Sequence, residues 1–441
     1  MKPRGQREHP PFFLARRDAD AIASLHHRSR LNVTGRHIAI MAPPTPGHIN
    51  PLQALGRALV ALGHRVTLVH QADVAPLVDD ACIGFAPLSA PISDGQALER
   101  YNAILAAPTG PTGLTRMVRA TAAMSERLLT YAPAVLERIG AEALIADSAE
   151  VAGPLIAQML GLPCAISVTG LPLLGEADVP PPYLGWQYRA DAIGRFRNRG
   201  GYQVSARLLR PITRVLERQR TLRGLGSDPS ASSLYVAQCP RGLDYPRKCL
   251  PPNFHYGGPW RAASSPAVDV PIDARPLVFC SLGTLQGSRR ALFATMAEAC
   301  AAIGARAVIA HGGGLRAEEV AALPGDPLVR AFWPQDAILR RCAAAVLHGG
   351  FNTVLDALAA GVPIVALPIA FEQPGTAARL AWAGAGVMLS PKRLSARRLS
   401  VQVQRVMTEP HFRLAALRLS DGMSTAGGAA RAAARISEAL G

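Results

Sequence analysis

The chain has 441 residues, 49% of them hydrophobic and 18% charged, with 47 basic against 31 acidic side chains and a formal net charge of +16. That length and apolar content exclude a single small module and a mainly disordered chain, and can fill the cores of two or three domains. Lysine occurs only at Lys2, Lys248 and Lys392, so the basic surplus is arginine, which fits either a compositional habit or an anionic partner.

Residues 1–34 carry Arg4, Arg7, Arg16, Arg17, Arg28 and Arg30 beside Pro10 and Pro11, with no apolar stretch of signal-peptide length. They read as a poorly ordered basic extension. The folded part opens with the apolar run His37 to Pro44, which predicts a buried strand that ends in a turn over TPGHINP. Leu52, Leu55, Leu59 and Leu62 then recur at helical spacing, Gly63 closes that helix, and His64 to His70 is the next strand. Strand, helix and strand within about 35 residues make a right-handed βαβ unit, so the sheet is parallel. The alternation returns with a strand at Ala143 to Asp147, a helix at Ala152 to Leu160 and a strand at Pro163 to Thr169.

Between Trp186 and Arg223 ten arginines face only Asp191 and Glu217, so this segment supplies half of the net charge. Within residues 202–223, Val204, Leu208, Ile212, Val215 and Leu216 share one helical face, and Arg207, Arg210, Arg214 and Arg218 share another. Such a helix suits peripheral contact with anionic lipid, and a solvated face of a packed helix has the same pattern. Pro211 is placed to interrupt it. Nucleic acid is not an expected partner, because the run offers only Trp186, Tyr188, Phe196 and Tyr202 for stacking.

Residues 259–275, rich in Ala, Ser, Pro and Asp, read as a linker between an N-terminal domain at 35–258 and a C-terminal domain at 276–441. The second domain repeats the α/β alternation, with strands at 276–284, 305–314, 343–350 and 362–368 and Ala-rich helices between them. The fold class is therefore α/β, two Rossmann-like parallel-sheet domains facing each other across a cleft where strand C-termini meet. The last helix is expected to pack back on the N-terminal domain. Seven cysteines with no C-x-x-C spacing point to a reducing compartment and to neither a disulfide framework nor a zinc site. No run of 18 apolar residues occurs, so no spanning helix is expected, and the expected location is the cytoplasm, with peripheral membrane contact through residues 202–223.

The chemistry concentrates between Phe332 and Pro374. His348, Gly349 and Gly350 follow a strand, and Asn352 and Thr353 begin a helix. Small residues at such a turn let an anion approach the backbone, where free N–H groups and the helix dipole favour a diphosphate. Asp356, one turn on, is placed for sugar hydroxyls, and Glu372 and Gln373 border the same crevice.

This stretch resembles the donor signature of the family 1 nucleotide-sugar glycosyltransferases of the GT-B fold. The resemblance implies that Phe332 stacks on the base where the family has tryptophan, and that Gln335 lies near the uridine. It implies that His348, Gly350, Asn352 and Thr353 meet the diphosphate, that Asp356 holds the ribose, and that Glu372 and Gln373 hold the donor sugar. Ser281, Gly283 and Thr284, on the first strand-to-helix turn of this half, fall where the family also faces the phosphates. Phe332, Asp356 and Glu372 stand where the family usually has Trp, Glu and Asp, which leaves the base and the sugar less defined than the donor class.

GHINP, residues 47–51, resembles the family's first-loop motif, whose histidine is the general base. Imidazole suits that task, since an attacking hydroxyl must lose its proton near neutral pH. His48 is then the base, and Asp147 the carboxylate that orients it, or a helix N-cap at its strand-to-helix turn. The implied reaction is an inverting hexosyl transfer with a UDP-sugar as co-substrate, no cofactor and no metal.

Residues 169–186 and 243–259 are similar to carotenoid glucosyltransferases of the zeaxanthin type, which implies a lipophilic acceptor. Leu171, Leu173, Tyr183 and Trp186 belong to a Pro-rich apolar loop that suits such an acceptor, although a core-facing loop would read alike. Two alternatives stand beside this: a polyketide or macrolide glycosyltransferase using a UDP- or dTDP-sugar, and a non-catalytic sugar-nucleotide-binding protein.

Overall fold

The structure is a computed structural model that describes residues 35–88, 96–107, 110–226, 233–261, 268 and 274–440. The extension at 1–34 and most of the linker lie outside the described residues.

The apolar runs form two parallel sheets. The first holds β1 (His37–Met41), β2 (Arg65–His70), β3 (Gly84–Pro87), β4 (Ala143–Asp147), β5 (Cys164–Val168), β6 (Leu234–Ala237) and β7 (Phe254–Tyr256), in the order β3-β2-β1-β4-β5-β6-β7. The second holds β8 (Leu277–Ser281), β9 (Arg306–Ala310), β10 (Leu328–Arg330), β11 (Cys342–Leu347), β12 (Ile364–Ala366) and β13 (Gly386–Met388), in the order β10-β9-β8-β11-β12-β13. Both orders reverse once, between β1 and β4 and between β8 and β11. Ligands of doubly wound sheets sit at that reversal, outside the strand C-termini. Strands β1, β4 and β8 are buried at every position, as a parallel sheet with helices on both faces requires.

Around the first sheet lie α1 (Pro46–Ala61), α2 (Ala97–Ala106), α3 (Gly110–Arg138), α4 (Ala152–Leu160) and α5 (Ala192–Leu222). Around the second lie α6 (Arg290–Ala301), α7 (Ala317–Ala321), α8 (Gln335–Leu339), α9 (Phe351–Ala359), α10 (Gln373–Trp382), α11 (Ala396–Thr408) and α12 (Pro410–Ala426), followed by α13 (Gly428–Leu440). Helix α13 returns to the first sheet, where Ala432, Ala433, Ile436 and Leu440 share a core with Ile38, Leu52 and Leu55.

Two expectations need correction. TPGHINP is not a free turn: α1 begins at Pro46, whose fixed φ and missing N–H suit the first helical position. The leucine periodicity starts late because the first turn faces the cleft rather than the sheet. Pro211 does not break α5, which runs unbroken for 31 residues. Gly194, Asn198 and Gly201 are buried before the proline, and Val215 and Leu216 pack on the core after it, so the helix is held on both sides.

The halves are joined by a buried charge network. Asp244 accepts from Arg247 at 2.7 Å and from Arg379 of α10 at 2.9 Å, and the Arg379 guanidinium lies 4.2 Å from the Tyr245 ring centre. The linker is also anchored at its start, with Trp260 fully buried in the first core.

Candidate active site

Because β1 and β4 are neighbours at the first reversal, the residues that follow them meet. His48 lies in the first turn of α1 and Asp147 ends β4, with His48 Nδ1 3.2 Å from Asp147 Oδ1. A third residue joins them: Thr169, just past β5, donates its hydroxyl to Asp147 Oδ2 at 2.6 Å and stands 2.8 Å from His48 Nδ1. A carboxylate only accepts, so the one threonine proton points to Asp147 and the threonine oxygen is left to accept from the ring. The imidazole proton therefore sits on Nδ1, and Nε2 keeps its lone pair. Asp147 caps no helix; its Oδ1 takes the Ala149 N–H at 2.9 Å within the turn.

Asp147 is buried, whereas the His48 side chain keeps 27% of its surface exposed. Burial alone would lower the His48 pKa, but Asp147, by charge and hydrogen bond, and then Glu372 and Glu150 raise it above the ordinary value. Glu150 is itself buried, which pushes its carboxyl up to about 7, and it accepts from the Ser125 hydroxyl and the Ala152 N–H at 3.3 Å each.

Glu372 comes from the opposite half, and burial raises its carboxyl. It follows Phe371, a non-glycine residue at φ 54°, a backbone state that costs on the order of 1 kcal/mol and persists where the surrounding structure fixes it. Gln373 is buried and its amide oxygen accepts from the Ile369 and Ala370 N–H groups at 2.9 Å, so that oxygen staples the loop instead of facing a sugar.

At the second reversal, Ser281 ends β8 and His348 follows β11. The Ser281 hydroxyl accepts from the Gly283 N–H at 3.2 Å, and Thr284 is exposed beside it. A Cβ at Gly283, which has φ 70°, would lie 2.8 Å from the His348 ring, and one at Gly350 would lie 2.3 Å from it, so the imidazole fits only between glycines. Burial drives the His348 pKa down to about 4, leaving it neutral, and its Nδ1 is buried without a partner. Thr353, nearly buried, and Asn352 occupy the first turn of α9, whose leading N–H groups have no helical acceptor.

Two donor-site residues are engaged otherwise than the resemblance implies. The Asn352 side chain spans the cleft, donating to the Gly47 carbonyl at 2.6 Å and accepting from Gln238 at 2.8 Å. Asp356 is paired with Arg261 from the start of the linker, and burial still raises its carboxyl. Phe332 is 66% exposed beside the half-buried Gln335, and its neighbour Trp333 is the buried one, tied to the Ile309 carbonyl at 3.0 Å.

The acceptor loop divides. Leu171 is 1% exposed and belongs to the core, and Trp186 packs against Gly201 and under Arg197, so neither lines a pocket. Leu171 is buried and Trp186 half-buried because the loop is wedged between α5 and α10, with Gly375 against the Pro182 carbonyl. Leu173 is half-buried, while Tyr183 is exposed, its hydroxyl pushed up to about 12 by its enclosure and by the Glu372 charge. Sequence reasoning missed Thr169, Gln238 and Arg261. Only Thr169 left a signal, its place at the end of the strand beside Asp147.

Residues 294–438 match the family described as "Erythromycin biosynthesis protein CIII-like, C-terminal domain". The chain is 33% identical to a zeaxanthin glucosyltransferase of Pantoea ananas over 92% of this chain and 96% of that protein. It is 35% identical to the zeaxanthin glucosyltransferase of Pseudescherichia vulneris over 92% and 98%. Among solved structures, the glycotransferase of kitacinnamycin superposes with a TM-score of 0.73 at 22% identity, over 92% of this chain and all of that one. The chain is a glycosyltransferase of the GT-B fold and belongs to family 1, together with these zeaxanthin glucosyltransferases.

Proposed function

We propose that this enzyme moves a glucosyl group from UDP-glucose to the hydroxyl of a lipophilic acceptor of the carotenol type, with inversion. The observation that carries the chemistry is the His48 ring, oriented by Asp147 and Thr169 and facing a cleft that Glu372 borders from the other side. Nε2 takes the acceptor's proton as the oxygen attacks the anomeric carbon; the bond to the diphosphate breaks, and its electron pair leaves with the nucleotide. That charge is met by the leading N–H groups of α9 and by the neutral His348, so the reading asks for no metal and no cofactor besides the co-substrate. Glu372 and the amide nitrogen of Gln373 serve the sugar, Asp356 the ribose once Arg261 shares it, and Phe332 the base.

The acceptor class is supported by the two zeaxanthin glucosyltransferases, matched over nearly their whole length. The second reading, a macrolide or polyketide acceptor with a UDP- or dTDP-sugar, draws on the erythromycin-type match. Mass spectrometry of products from UDP-glucose and dTDP-glucose with carotenols, macrolide aglycones and flavonoids separates them. Glucosylated carotenol from UDP-glucose is the expected product, and glycosylated macrolide alone would replace the reading.

The site of action is the cytoplasmic face of a membrane in this reading. Among the described residues no helix is long and apolar enough to cross one. Helix α5 instead presents Ile193, Phe196, Val204 and Leu208 to solvent among arginines. This is an arrangement for lying on anionic lipid that holds the acceptor.

A further inference from the structure

Helix α1 contains a proline where an unbroken helix would spend the residue 51 amide on the Gly47 carbonyl. Pro51 has no N–H to give, and its ring crowds that carbonyl. Pro46 loses nothing at the first helical position, but Pro51 lies past the first turn, where a missing donor removes a real helical bond. The carbonyl instead takes a donor from the other half of the molecule, Asn352 Nδ2 at 2.6 Å.

The contact continues in both directions. Asn352 Oδ1 accepts from Gln238 at 2.8 Å, and the fully buried Gln238 also donates to the Thr169 carbonyl and accepts from Arg261 at 3.0 Å. Arg261 in turn holds Asp356 and the Asn352 carbonyl. One hydrogen-bonded chain thus runs from the donor helix α9 to the residue before His48 and to the residue that shares its Nδ1 proton.

We propose that Pro51 is a positioning residue: it keeps the Gly47 carbonyl open so that Asn352 locks the donor half onto the turn that carries His48. Closing the cleft and placing the imidazole are then one event. This inference rests on the reading of His48 as the base.

The test is a double-mutant cycle over Pro51→Ala and Asn352→Ala, read in two ways. In urea unfolding, which needs no ligand, Pro51→Ala is at least as stable as the wild type, because the helix regains a donor. Asn352→Ala costs less stability in the Pro51→Ala background than alone, because the shared bond is already gone. In transfer from UDP-glucose to zeaxanthin, Pro51→Ala lowers kcat about tenfold, the equivalent of one hydrogen bond, with UDP affinity by calorimetry unchanged. Additive stability effects overturn the inference, and so does coupling in stability with kcat at the wild-type value, which leaves a purely structural contact. A His48→Ala enzyme that still transfers would instead remove the base assignment, and the urea cycle would stand or fall separately.

Discussion

Thr169 gives its hydroxyl proton to Asp147 at 2.6 Å, and that single bond decides which nitrogen of His48 carries hydrogen. Two adjacent strand ends, β4 and β5, place the pair under the imidazole, so the base inherits its tautomer from the sheet. Thr169→Val keeps the shape and removes the hydroxyl. Its kcat is expected to fall about tenfold, the worth of one hydrogen bond, with KM for the nucleotide sugar unchanged. Steady-state kinetics check this, and equal kcat values would show that Asp147 alone orients the ring.

The pH profile follows from the raised His48 pKa. A base must be unprotonated, so kcat/KM should rise with pH through an acid limb centred above 6.5, the ordinary imidazole value. Asp147→Asn removes the largest raising influence, so the limb moves toward acid even as the rate falls. Linkage has the opposite sense for stability: a raised histidine pKa contributes stability that is full below 6.5 and is lost as pH rises through the folded value. A limb that stays put in Asp147→Asn contradicts the assigned coupling.

Phe332 is two-thirds exposed on the donor side, at 66%. Stacking of a base on an aromatic ring is worth about 1–3 kcal/mol, so Phe332→Ala should weaken UDP binding about fivefold or more without changing the melting temperature. Calorimetric titration with UDP measures it, and unchanged affinity would place the base elsewhere.

The exposed face of α5 carries Phe196, 79% exposed, with Val204 and Leu208 beside Arg207 and Arg214. Flotation with vesicles of phosphatidylglycerol should carry the protein upward, neutral phosphatidylcholine vesicles should not, and Phe196→Asp with Leu208→Asp should abolish the difference. Equal, negligible binding to both vesicles removes the membrane contact from the account.

The longer strands were legible because parallel strands leave uninterrupted apolar runs, and the candidate residues His48, Asp147 and His348 were picked out by lying at or after the ends of such runs. Residues whose role comes only from the closed cleft were not. Gln238 follows a four-residue strand, and Arg261 sits in a stretch whose composition reads as loose linker, yet both hold Asn352. Leu171 failed for the converse reason: a greasy loop reads the same whether it faces a ligand or a core, and here it meets the core beside α10. Short strands such as β7 and β13, three residues each, carry too few positions for a period to show.

The measurement that tests the account most directly is transfer by His48→Ala, with UDP-glucose and zeaxanthin as substrates and UDP affinity measured on the same preparation. The account predicts a fall in kcat of at least about 100-fold, the range lost with a general base, and unchanged UDP binding. Wild-type turnover by His48→Ala would contradict it.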